Sequence, residues 1–451
     1  MKFIFKIIFA LMILFILSSC RKEWLEEKQS VKLITPTTLN DMELLLNEDA
    51  LQLDARGASE IACDDYEFTT DQFNALYYAT DRDIITWKSM EIPKFGDKES
   101  DEWDLSYSEI QICNIVLEGL EKIQRNESNK NQFDRIKGTA LYHRAKQHFN
   151  LAMTFCKYYD KTNAASDLGI PLKLTSDIGE KVVRSTLEQT YSKIISDLKE
   201  ASELLPNSQN DPTFVAKGGA YGLLARVYLF TDNYVEALNS ADSSYKYHNY
   251  IENYNSVNSA PSRPFSGFYT KEMHIYGIMR RQIQNFSVGT ISKELYEMYD
   301  QNDLRKTLFF RTNTEGNPTF RGSYASRQLF TATATDEILL IEAECGVRLN
   351  KLSDARNALN LLLVNRYKTG TYQPITSTNN NELLDIIIRE RRKELVTRGL
   401  RWQDIKRLNR DPRYTKDLIR KIGSEIYTLP SNDSRYIFPI PQYIKAFNGI
   451  Q

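Results

Sequence analysis

Small and aromatic residues recur at helical spacing in two separated stretches, and this pattern limits what the chain can fold into more than any other feature. Tyr221, Leu224, Ala225, Tyr228, Tyr234, Ala237 and Ala241 form one set; Ala343, Gly346, Leu352, Ala355 and Leu359 repeat its offsets. Alanine and glycine at such positions let two helices cross closely, and the aromatic rings fill the gap that remains. Apolar residues three and four apart extend the helical reading to residues 39–46 behind Thr37 and Thr38, then to 104–123, 133–159 and 186–205, where Pro206 stops it. The same periodicity returns at 334–349, 352–365 and 381–410. Between these groups, residues 249–317 are rich in Tyr, Asn, Ser, Pro and Gly and read as long loops with short strands. The prediction is a mostly α-helical body with one large, loop-rich irregular insertion.

The two repeated sets match the helix pair of a tetratricopeptide repeat, a unit of about 34 residues. Residues 133–159 and 186–205 read as less regular helices of the same layer, so the repeat-like scaffold covers about 133–248 and 334–365. Because long insertions separate the units, the sequence predicts a platform for loops rather than a continuous superhelix with one groove.

The first 20 residues are a separate element. Lys2 and Lys6 precede an apolar run from Ile7 to Leu17, and Leu17-Ser18-Ser19-Cys20 follows. A basic start, a short apolar core and small residues before the cut are the parts of a secretory signal. The run of 11 residues is too short to span a bilayer, which takes about 20. Leu17 to Cys20 resembles a bacterial lipobox, which implies lipid transfer to the Cys20 thiol and cleavage that leaves Cys20 first. The expected organisation is a signal at 1–19, a lipidated tether at 20–36 and one domain at 37–451.

Removing Lys2 and Lys6 leaves 56 basic against 59 acidic side chains, without the basic excess of a nucleic-acid binder. Cys63, Cys113, Cys156 and Cys345 are widely spaced with no CxxC and read as buried thiols, since a chain this large needs no staples. Of the four histidines, His143 and His148 stand five apart on a predicted helix and do not share a face as a metal pair would. No GxSxG, HExxH, phosphate-binding loop or GxGxxG occurs. The sequence therefore predicts no catalytic residue, no metal and no cofactor.

Further motifs stand in order along the chain. They include Trp103 with Tyr107, Ile110 and Asn114; Arg144-Ala145 with Phe149; Gly169-Ile170-Pro171-Leu172; Asp197-Leu198; and Ala220 with Leu223 to Leu229. Asp303 and Arg305 follow, then Glu390-Arg391-Arg392-Lys393-Glu394-Leu395 continuing to Gly399, Arg401-Trp402, Asp404 and Lys406-Arg407, and finally Phe438-Pro439-Ile440-Pro441-Gln442. In this order and spacing, behind a lipobox, the chain resembles the SusD/RagB nutrient-binding lipoproteins of Bacteroidetes. The departure is Val396-Thr397-Arg398, where that family usually has an apolar, aromatic and acidic run before the glycine. The resemblance implies a SusD-like helical fold and a lipid-anchored protein on the outer face of the outer membrane. It implies binding of a glycan, in some members a peptide, for a partner TonB-dependent SusC-like transporter, without catalysis. A tetratricopeptide-type envelope scaffold binding only protein is the weaker alternative.

Six of the residues from Arg389 to Arg401 are arginine or lysine. With Glu390 and Glu394 interleaved, they read as an internal ion-pair network rather than a phosphate or nucleic-acid patch, with Trp402 in the core.

Binding a sugar needs aromatic faces for its apolar side, ringed by amides, carboxylates and arginines for its hydroxyls, all on exposed loops. Two regions have that composition. The first lies within about 60–103 and holds Tyr66, Phe73, Tyr77, Tyr78, Arg82, Asp83, Trp87 and Phe95, with Trp87 the first choice because the family commonly places ligand contacts before the Trp103 helix. Of the adjacent Tyr77 and Tyr78, one is expected to face out and the other in. The second region lies within about 249–330 and holds Tyr254, Phe265, Phe268, Tyr269 and Tyr276.

Overall fold

The computed structural model describes residues 36–92, 102–181, 183–265, 270–279 and 289–448. The signal segment, Cys20, Phe95, Phe268 and Tyr269 lie outside the described residues. The helices of eight residues or more are α1 (Leu39–Leu46), α2 (Glu102–Leu120), α3 (Lys130–Phe155), α4 (Leu187–Leu204), α5 (Lys217–Leu229), α6 (Tyr234–Tyr247), α7 (Thr335–Arg348), α8 (Leu352–Leu363), α9 (Asn380–Glu394) and α10 (Arg401–Leu408). Local chemistry sets their ends. At α1 the Thr38 hydroxyl accepts from Asp41 N at 3.2 Å, and the Asp41 carboxylate accepts from Thr38 N at 2.9 Å, a reciprocal cap. Thr186 and Gln189 cap α4 in the same way, and Pro206 forces Leu205 into extended backbone that ends the helix.

Each helix packs on the next. α2 lies on α3, α3 on α4, α4 on α5, α5 on α6, α6 on α7 and α7 on α8, while α9 packs on α7 and touches α8. At the crossing of α7 and α8, a Cβ added to Gly346 would stand 3.0 Å from the Ala355 Cβ, so the small residues do allow the close approach. The expectation of interrupted units is corrected at α6 and α7, which are neighbours although residues 248–334 separate them in sequence. The insertion leaves and returns at one place, because closing a long loop costs little more than closing a short one. Its base is fastened by a Met273–Ala334 bridge, with His274 N donating to Thr333 O at 3.0 Å and Thr335 N donating to Glu272 O at 3.1 Å. A buried ion pair spans the same junction: Arg226 of α5 donates to both Glu337 carboxylate oxygens of α7, at 2.8 and 2.5 Å.

The insertion carries little regular structure, as its composition predicts. Ile278–Met279 pairs in parallel with Leu53–Asp54, Thr290–Ile291 pairs with Tyr66–Glu67, and Phe310–Thr312 forms a hairpin with Pro318–Phe320. With so short a backbone ladder, side chains hold it together. Tyr254, Phe265, Phe309 and Tyr324 are buried in mutual ring contact, with centroids 5.1–6.3 Å apart.

Two boundaries differ from the sequence reading. The region 60–103 is not simply loop, because Gly57–Ala62, Thr70–Asn74 and Ala79–Ile85 are short helices. The predicted helix 381–410 is split into α9 and α10 by Thr397 and Gly399, both in left-handed backbone at φ 63° and 69°. Gly399 has no alternative, since a Cβ there would fall 2.9 Å from the Arg56 side chain.

The basic run is an internal ion-pair network, but apart from the i,i+3 pair Lys393–Glu390 its partners come from more distant segments rather than from helical spacing. Arg391 bonds Asp404 at 2.9 Å, Arg392 bonds Asp65 at 2.9 Å, Arg398 bonds Asp336 at 2.6 Å and Arg401 bonds Asp64 at 2.7 Å. Lys393 meets Asp303 and Glu390, and Arg305 meets Asp303, Glu390 and Glu394. Trp402 is buried, as are the four free cysteines.

Candidate ligand-binding site

Tyr77 is the most exposed aromatic residue among those described, with 79 % of its surface free. Its display follows from its neighbours. Thr69 and Gln72 cap the helix Thr70–Asn74, Leu76 turns inward and is buried, and Tyr78 opens the helix Ala79–Ile85 in extended backbone. Arg82, in that helix, reaches back and donates to the Leu76 carbonyl. The loop is therefore tied at the residue before Tyr77, and a ring held this way gives up little freedom when it meets a ligand. Tyr78 is half-buried and meets the Tyr77 ring edge-on, with centroids 4.7 Å apart and planes at 84°. One ring faces out and the other is tucked in. Asp83 is half-buried on the next turn, beside a backbone fixed by Lys88 N donating to the Asp83 carbonyl at 2.9 Å.

Trp87 does not offer the free face predicted for it. Only 1 % of it is exposed, its indole N–H donates to Ala62 O at 2.9 Å, and the Arg420 guanidinium lies 4.8 Å from its ring. Its backbone is left-handed at φ 54°, a conformation a bulky residue holds only when its surroundings impose it. Arg420 also donates to the carbonyls of Cys63 and Ile85, and Arg435 donates to Trp87 O at 3.0 Å. Trp87 is thus an anchor that seats the segment carrying Tyr77, and the correction has a plain cause in those contacts. Tyr66, Tyr254 and Phe265 are corrected likewise, all being buried, while Phe73 and Tyr276 are half-buried against the core.

Beside Trp87 is a cleft of about 680 Å³ between residues 64–69, the 290–294 segment and the hairpin Leu418–Ile422/Glu425–Leu429. Tyr66, Phe68 and Trp87 form its floor, and Glu67, Thr69, Glu294, Asn317, Lys416 and Lys421 reach its rim. The charges there are largely neutralised. Against the penalty of burial, Arg401 and Arg392 hold Asp64 well below the usual carboxylate range. Burial pushes Arg420 down to about 10. The Tyr77 segment thus offers one free aromatic ring with a second at its edge, and the cleft, which neither ring lines, offers hydroxyl, amide and charged groups of its own.

The histidines contribute nothing here. His143 and His148 are buried on α3, and burial drives both below the ordinary range, His148 to about 3. The other ordered motifs are structural. Tyr107 donates to Pro171 O at 2.7 Å, Arg144 pairs with Asp197 at 2.8 Å, and Phe438 N donates to Thr154 O at 3.0 Å. The sequence did not single out Arg82 as a tether or Arg420 as a clamp. No local pattern marks either, because their partners are backbone carbonyls.

A family model described as "Starch-binding associating with outer membrane" matches residues 23–229, and one described as "SusD family" matches residues 310–447. A SusD-like protein from Formosa agariphila is 22 % identical over 419 residues, covering 75 % of this chain and 76 % of that one. Among solved structures, a SusD-like carbohydrate binding protein from Bacteroides vulgatus aligns over 92 % of this chain and 97 % of its own, at 20 % identity and a TM-score of 0.66. A SusD superfamily protein from Bacteroides thetaiotaomicron aligns over 92 % and 99 %, at 19 % identity and a TM-score of 0.69. These neighbours share the overall fold of this chain, and with family matches in both its halves the chain belongs to the SusD family.

Proposed function

We propose that this protein is a cell-surface lipoprotein, anchored in the outer membrane through lipid on Cys20, that captures a glycan and passes it chemically unchanged to a TonB-dependent SusC-like transporter. The observation that carries the reading is Tyr77: a large ring left in solvent on a loop tied by Arg82, with Tyr78 at its edge and Asp83 a turn away. A protein gains no folding stability from such a ring, and aromatic anchors of this kind supply binding energy. The family matches support the same reading.

Calorimetry of the full-length chain against oligosaccharides and peptides tests it. Tyr77→Ala should weaken glycan affinity by about 1–3 kcal/mol while the melting temperature stays in place. Tighter binding of peptides than glycans, or release of cleaved glycan, would refute the reading. In cells, Cys20→Ala should move the protein out of the membrane fraction, and its retention there would count against the lipid anchor.

A further inference from the structure

We propose that the cleft between the loop after α4 and the segment after α6 is a second saccharide-binding site, one that takes a short neutral stretch of pyranose units. The inference rests on the reading of the chain as a glycan binder, but it uses none of the residues around Tyr77. The cleft encloses about 430 Å³, within the range of roughly 300–1,000 Å³ usual for small-ligand sites.

Its two walls differ in chemistry. One is the run Asn207-Ser208-Gln209-Asn210, and none of these four side chains has a hydrogen-bond partner among the described residues. The loop itself is nonetheless fixed. Thr213 N donates to the Asp211 carboxylate at 2.9 Å, and Tyr276 N donates to Pro212 O at 2.6 Å. Four amide and hydroxyl groups on a tied loop, all unspent, can donate to and accept from sugar hydroxyls. The other wall is aromatic. Tyr250 is 42 % exposed, and Tyr247 lies parallel to Tyr221 with centroids 5.9 Å apart and planes 2° apart, so its orientation is set before any ligand arrives. Between the walls, the Thr270 hydroxyl is buried without a partner among the described residues, a donor and acceptor left for something in the cleft.

The charges argue for a neutral ligand. No carboxylate lines the cleft, and Lys271 is its one ordinary cation, lying 5.8 Å from the Tyr250 ring. Burial lowers the pKa of both histidines, that of His274 to about 3. Ser244 donates its hydroxyl to Gly218 O at 2.7 Å, and His274 meets Ser244 through Nδ1 at 3.1 Å and Thr335 through Nε2 at 3.1 Å. His248 donates to Lys271 O at 2.7 Å. Without a carboxylate the donor set does not suit a metal ion or a basic peptide.

Hydrogen exchange of the full-length chain with malto-, cello-, laminari-, xylo- and manno-hexaose at millimolar concentration tests this. At least one of these should slow exchange in peptides covering residues 207–214 and 245–251 by about twofold or more. Tyr250→Ala combined with Asn210→Ala should abolish that protection, while Tyr250→Phe, which keeps the ring, should retain most of it. Absence of protection at 207–214 with every sugar overturns the proposal, as does protection that the double variant leaves intact. Protection at residues 70–87 alone overturns this site and leaves the Tyr77 reading standing. Protection at 207–214 alone supports this site and removes Tyr77 from ligand binding.

Discussion

Replacing Arg226 by methionine should destabilise the protein by about 3 kcal/mol. The side chain is buried and donates to both oxygens of Glu337, which is wholly buried, and also to Thr331 O at 3.3 Å and Ala332 O at 3.1 Å. The variant therefore leaves one carboxylate and the Ala332 carbonyl without their donor, while Thr331 O keeps Arg56 at 3.5 Å, at the point where the insertion rejoins the helical array. Cutting one partner from a buried pair costs roughly 3–5 kcal/mol. Arg391 stands 3.8 Å from Glu337 and supplies some compensation, which places the expected value at the low end. A chain of this size unfolds with an entropy near 0.9 kcal/mol/K, so the melting point should fall by about 3–4 °C. Two controls sharpen the test. Arg226→Met with Glu337→Leu removes both charges and should cost less than Arg226→Met alone. In the single variant Glu337 loses the guanidinium that offsets its burial and holds its pKa down. Its folded pKa should then rise, so stability is retained in acid and lost as pH climbs through that raised value. Urea denaturation of the three proteins at pH 5 and pH 8 measures all of this. A single variant within about 0.5 kcal/mol of wild type, or a double variant worse than either single, would refute the claim that this pair fastens the junction.

Two further outcomes follow from the geometry around Tyr77. Trp87→Ala should lower stability by about 3–5 kcal/mol, the cost of emptying a buried tryptophan site, and thermal unfolding would show it; an unchanged melting point would contradict the anchor role. Burial raises the Glu60 carboxyl to about 7 although Tyr66 O–H and Gly399 N–H donate to it. Because its folded pKa exceeds the unfolded value, it favours folding below about pH 4.5 and loses that contribution as pH rises to about 7. Glu60→Gln should therefore gain on wild type by up to about 3 kcal/mol between pH 4.5 and pH 8, and parallel pH profiles of denaturation midpoints would refute this.

The helices were legible because their apolar spacing is local and strong, and the caps at Thr38, Thr186 and Pro206 mark their ends. The split of α9 from α10 was not, since Thr397 gives no signal that its backbone turns left-handed. Interleaved acids correctly pointed to ion pairing between Arg389 and Arg401, yet partners such as Asp64, Asp303 and Asp336 lie too far along the chain for spacing to name them. The aromatic candidates failed in one way. Trp87, Tyr254 and Phe265 occur in stretches of loop-like composition, and such stretches, lacking a backbone ladder, consume their aromatics in packing. Tyr77 and Tyr78 escape because Leu76, not a ring, fills the core at that turn.

The contact of α6 with α7 also bears on how this chain can be divided. The two family matches end and begin on either side of that seam, at residues 229 and 310, which invites treating them as separable modules. A recombinant fragment stopping at Leu229 would lack α6 and bare the apolar side of α5 to water, together with an orphaned Arg226. The pieces that sequence comparison recognises separately meet where α6 packs on α7, so neither half should make a sound expression target by itself.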